Sequence, residues 1–175
     1  MPPERDEYFM GLALAQAREA LDAGEFPVGC VIVAGDRVVA EGRRTHSRGQ
    51  ANELDHAEVV ALRELLTRDP TIERAGLTVY STMEPCLMCF ATLLLNGVQR
   101  IVYAYEDMMG GATGLDLATL APLYRQMRLE VVPHLRRAES LALFRDFFAN
   151  PANGYWQDSL LAGYTLAGGQ SRHKP

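Results

Sequence analysis

Apolar residues recur at helical spacing near the start of the chain. Phe9, Leu12, Ala13, Ala17, Ala20 and Leu21 share one face, and Gly24 supplies a stop, which predicts a helix over residues 6–23. Residues 28–34 form a short apolar run of strand length, and Gly35-Asp36 turns it into a second strand over 37–42. A polar loop covers 43–55. Val59, Leu62, Leu65 and Leu66 then mark a helix opened by His56 and ended before Pro70. The pattern continues with a strand over 77–81, a helix over 85–95 closed by Asn96-Gly97, and a strand over 100–104. A glycine-rich loop spans 109–114, followed by a helix over 116–127, a strand over 129–132 and a helix over 137–148. Such alternation predicts an α/β fold, a three-layer α/β/α sandwich around a five-stranded sheet. Two consecutive strands at the start make that sheet mixed instead of purely parallel.

Neither an internal repeat nor a linker divides the pattern, so residues 1–149 read as one domain and 150–175 as a tail. The tail lacks basic residues over 146–170 and carries Tyr155, Trp156, Leu160, Leu161 and Tyr164. It either packs on the domain or a dimer partner, or lays an aromatic ring over a small substrate.

The net charge is −5, from 17 Lys and Arg against 22 Asp and Glu, which weighs against a dedicated nucleic-acid binder without closing off a local RNA-binding patch. No apolar run reaches the ~20 residues of a membrane-spanning helix. The charged, proline-containing start does not read as a signal peptide, so a cytoplasmic location is expected. Three cysteines do not make a disulfide framework, and two of them three apart point to metal.

The candidate chemistry lies in His56-Ala57-Glu58 and Pro85-Cys86-Leu87-Met88-Cys89. Cys86 and Cys89 fall in a first helical turn, where the helix dipole favours thiolate, and Pro85 suits the first helical position. On a regular helix His56 and Glu58 would diverge, so His56 is placed at or just before the helix start. Cys30 reads as a small core residue, and His46, His134 and His173 lack a motif context. His56, Cys86 and Cys89 leave a fourth zinc position for water, as a catalytic site requires. Zinc lowers the pKa of that water to about 7, and Glu58 would carry its proton to a ring nitrogen and then to a leaving amine.

The pairing H-x-E with P-C-x-x-C resembles the signature of zinc deaminases that act on nucleobases. It is similar to the cytidine/deoxycytidylate deaminase superfamily, nearest the branch with tRNA wobble-adenosine deaminases and guanine deaminases. Phe26-Pro27-Val28-Gly29, Thr82-Met83-Glu84-Pro85-Cys86-Leu87-Met88-Cys89 and the Gly110-to-Gly114 loop carry the resemblance, although Leu115 stands where serine is usual. It implies a cytidine deaminase-like fold, a homodimer, Val28 packed on the base, and Thr82, Glu84 and Pro85 at the base edge. Arg44 stands where the family often has a substrate-contacting asparagine. With Arg43, His46 and Arg48 it forms either a solvated loop or a grip on phosphate. Asp55 is either a loop acid or an acceptor for a substrate N–H.

The leading expectation is a zinc-dependent hydrolytic deaminase of a small base, nucleoside or nucleotide. A tRNA-specific adenosine deaminase is the alternative. A non-catalytic zinc-stabilised binding module is a third, disfavoured by Glu58, which a structural site does not need.

Overall fold

The computed structural model describes residues 3–169. Its elements are α1 (Pro3–Asp22), β1 (Gly29–Ala34), β2 (Arg37–Arg43), α2 (Ala57–Arg68), β3 (Leu77–Met83), α3 (Leu87–Leu95), β4 (Arg100–Tyr105), α4 (Pro122–Arg125), β5 (Glu130–Val132), α5 (Arg137–Ala149) and α6 (Leu160–Leu166). The strands form one sheet in the order β2-β1-β3-β4-β5. β1 is antiparallel to both β2 and β3, whereas β3, β4 and β5 run parallel.

Side chains alternate across the sheet, as strand geometry requires. Val31, Val33, Tyr80 and Val102 pack with Phe9, Met10 and Ala13 of α1. Cys30, Ile32, Val79 and Ile101 pack on the other face with Ala61 and Leu65 of α2 and Phe90 and Leu93 of α3. The sheet is therefore covered on both sides, and Cys30 is a fully buried core residue.

Two expectations change. The helix over 116–127 is broken into a 3-10 turn, Leu117–Thr119, and the single turn of α4, because Pro122 cannot donate a backbone hydrogen bond into a continuing helix. Pro85 lies ahead of the N-cap Cys86, not at the first helical position. The segment after residue 150 contains α6, whose Leu161 and Ala162 enter the main core. Residues 170–175 of the expected tail, with His173, lie outside the described residues.

No described helix is long and apolar enough to cross a membrane.

Candidate active site

Two helix starts meet beyond the end of β3. His56 is the N-cap of α2 with an extended backbone, φ −66° and ψ 145°. Its ring is thereby free of the helical 100° step, and Glu58 follows in the first turn. The first turn of α2 is pressed against β2: a Cβ added at Gly42 would stand 2.4 Å from the Ala57 carbonyl oxygen, so only glycine lets the helix sit this close. Cys86 caps α3 in the same extended manner, φ −68° and ψ 170°, and Cys89 is buried in the turn that follows.

His56 Nδ1 lies 3.5 Å from each of the Cys86 and Cys89 sulfurs. Around a tetrahedral zinc with ordinary Zn–N and Zn–S bonds, those atoms would be about 3.6 Å apart. All three donor atoms lie within 4.8 Å of one another. The donor set and spacing fit zinc.

The Cys89 thiol hydrogen bond pulls Cys86 down to about 4, against its burial and with help from the His56 ring. The same pairing, with burial and the Glu58 charge, pushes Cys89 up. The pair thus reaches its first thiolate easily, which is the form a metal binds. Burial lowers the His56 ring, but the Cys86 contact and the Glu58 charge outweigh it and leave it raised. Burial pushes the Glu58 carboxyl up, only partly offset by the His56 ring and by Ser81. Ser81 Oγ donates to Glu58 Oε1 at 2.9 Å.

His56, Glu58 and Cys86 open on a cavity of about 280 Å³. Val28, Phe26, Met83 and Leu161 give it apolar walls, and Tyr155 and Trp156 reach it from the segment between α5 and α6. Trp156 turns the chain with a left-handed backbone, φ 56°.

The structure brings His56, Glu58, Cys86, Val28, Arg44 and Glu84 to this cavity, with Cys89 against His56. Arg44 does not join a solvent-facing phosphate grip. Its side chain is 2% exposed, with Glu53 at 3.2 Å, the Asn52 carbonyl at 2.8 Å and its guanidinium over the Tyr155 ring. Arg43 meets Glu19, and His46 meets Asp55. Glu84 accepts from the Asp107 and Thr113 backbone amides and the Thr113 hydroxyl, clamping the glycine-rich loop.

Asp55, Thr82 and Pro85 are not among the residues that line this cavity, and each has partners of its own. Asp55 accepts from Arg63 and Asn52 besides meeting His46. Thr82 Oγ1 accepts from the Gly29 amide, its carbonyl from Ser140, and the Pro85 carbonyl from the Ala112 amide.

Residues not singled out in the sequence are Ser81, Glu53 and Asp107. No motif marks them. Asp107 lines the cavity with its carboxyl raised by burial, against the Gly110 and Met109 amides that bond it.

A mixed α/β/α sheet with a His-Cys-Cys donor set and a buried carboxylate beside it defines a class, metal-dependent hydrolases. The profile described as the cytidine and deoxycytidylate deaminase zinc-binding region matches residues 3–105. The chain belongs to the cytidine and deoxycytidylate deaminase family, and is a hydrolytic deaminase of C–N bonds with zinc as its cofactor.

A tRNA-specific adenosine deaminase of Agrobacterium fabrum is 32% identical over 81% of this chain and 92% of its own length. A tRNA(Ile)-lysidine synthase of Thermus thermophilus is 38% identical over 87% of this chain but only 27% of its own length. A solved structure from work on A-to-I editing by tRNA:A34 deaminases is 29% identical, with a TM-score of 0.67, over 78% of this chain and 98% of that one.

Proposed function

We propose that this protein deaminates the exocyclic amine of a free base, nucleoside or nucleotide, replacing it with a carbonyl and releasing ammonia. The observation that carries this reading is the cavity beside Glu58, lined in part by Tyr155 and Trp156 of the chain's own C-terminal segment. At about 280 Å³ it suits one small heterocycle. Its one arginine, Arg44, is already paired with Glu53 and offers phosphate no free charge.

In this reading His56, Cys86 and Cys89 hold the zinc ion, which when bound supplies Lewis-acid activation of the attacking water. Val28 and Met83 pack on the ring of the substrate. Tyr155 and Trp156 add aromatic surface to the wall around it. Glu58 takes one proton of the attacking water and passes it to the ring nitrogen beside the reacting carbon, then takes the proton of the newly added hydroxyl and delivers it to the amine as the C–N bond breaks and the carbonyl forms. Its raised affinity for protons suits a group that must hold one between steps.

A second reading, a tRNA-specific adenosine deaminase, is favoured by the full-length similarity to proteins of that name. We place the protein in the cytoplasm, where thiols stay reduced, as a homodimer.

Zinc-loaded protein, beside a Glu58→Ala control, is incubated with free bases, nucleosides, nucleotides and a tRNA carrying a wobble adenosine, and ammonia is measured. Glu58-dependent release from a small compound is expected. Release from the tRNA alone overturns the leading reading in favour of the second.

A further inference from the structure

Glu53 stands at a junction that neither the motifs nor the reaction requires. Its Oε2 accepts from His56 Nε2 at 3.2 Å, from Arg44 Nη2 at 3.2 Å and from the Tyr155 hydroxyl at 2.9 Å. The three donors come from the start of α2, from the residue after β2, and from the segment between α5 and α6.

His56 turns its other nitrogen, Nδ1, to the two cysteine sulfurs. An imidazole that meets a metal through Nδ1 carries its proton on Nε2, and a carboxylate that accepts this proton fixes the tautomer and ring orientation. Arg44, buried and bound to the Asn52 carbonyl, gives the carboxylate a fixed counter-charge.

We propose that Glu53 is a positioning residue for His56, and that through the Tyr155 hydroxyl it ties the C-terminal segment to the metal centre. The segment that lines the cavity then also sets how firmly zinc is held, through the hydrogen bond that the Tyr155 hydroxyl donates to Glu53. The inference rests on the reading of His56 as a ligand.

The test uses the full chain loaded with zinc and a chromogenic chelator, reading the zinc dissociation constant and release rate. The unfolding temperature of each zinc-free variant serves as the control for a merely structural role. Glu53→Ala is expected to weaken zinc binding about 10- to 100-fold, beyond the loss of zinc-free stability that follows from leaving the buried Arg44 without its counter-charge. Glu53→Gln restores part of this, because its amide oxygen still accepts from Nε2. Tyr155→Phe weakens binding several-fold in the parent and has no further effect in the Glu53→Ala background, as coupling through Glu53 demands.

Zinc binding within twofold of the parent in both Glu53→Ala and Tyr155→Phe overturns the inference, as does full additivity of the two changes. If Glu53→Ala does not fold, Glu53→Gln and Tyr155→Phe decide by the same criterion. His56→Ala separates the two levels. Loss of zinc there with none lost in Glu53→Ala defeats the inference alone, whereas zinc retained in His56→Ala defeats the ligand assignment and the inference with it.

Discussion

Two buried carboxylates flank β3, reached by neighbouring residues that point to opposite faces. Tyr80 donates to Asp6 at 2.6 Å on the α1 side, and Ser81 donates to Glu58 at 2.9 Å on the α2 side. Asp6 also takes both terminal nitrogens of Arg100, at 3.0 and 2.8 Å. Its burial is outweighed by Arg100 and Tyr80, and the carboxyl is held below its ordinary 3.8. Glu58 has a hydroxyl and the Cys89 thiol as its side-chain partners, and burial wins, raising it. The sheet therefore neutralises one acid with a cation and leaves the other with its proton affinity raised. A buried carboxylate without a matched cation destabilises a fold, and such a concession is expected where chemistry is done.

Substitution at the two sites should separate these roles. The largest effect is expected for Glu58→Gln, which keeps an acceptor for Ser81 but cannot carry a proton. Its kcat should fall about 10²- to 10⁴-fold while zinc content stays at the parent value and the unfolding temperature does not fall. A parent-like kcat would remove Glu58 from the proton path.

Asp6→Ala should do the reverse. It strands the Arg100 guanidinium, 13% exposed, with the solvent-facing Glu130 as its remaining carboxylate partner among the described residues. Stability in urea should fall by about 3 kcal/mol with kcat unchanged. The sign of its pH dependence follows from the lowered carboxyl. The Asp6 contribution is full above 3.8 and is lost as pH falls through the folded value. Asp6→Asn should therefore remove part of the acid-induced loss of stability, and an unchanged acid limb would show that other groups govern it.

The legible part of the molecule is the part written in local spacing. Helix and strand periods located the sheet and its covering helices, and the two-residue gap between His56 and Glu58 required an extended residue at a helix start, which His56 is. Composition alone could not find α6. Its Leu161 and Ala162 are held by tertiary packing, and the chain reaches them through a left-handed turn at Trp156, a residue type with no preference for it. Arg44 read as a surface charge because a sequence does not show that Glu53, Asn52 and Tyr155 enclose it. Ser81 carried no signal, since a buried strand position differs from a functional one only by what lies across from it.

That last point gives the finest test, because Tyr80 and Ser81 are adjacent and each loses a single hydroxyl on substitution. Tyr80→Phe removes a donor from the neutralised acid, and Arg100 remains to hold Asp6. The cost should appear as roughly 1–2 kcal/mol in unfolding free energy, with kcat and KM unchanged. Ser81→Ala removes the hydroxyl donor that holds Glu58 Oε1 within the cavity wall. Glu58 then samples orientations unsuited to transfer, and kcat should fall about 10-fold, the rate equivalent of roughly 1.4 kcal/mol of a hydrogen bond to a charged group. KM should stay near the parent value, because Ser81 is fully buried and does not face the cavity. A rate loss in Tyr80→Phe equal to that in Ser81→Ala would mean that the two faces of β3 are coupled, and the division into a structural and a chemical acid would fail.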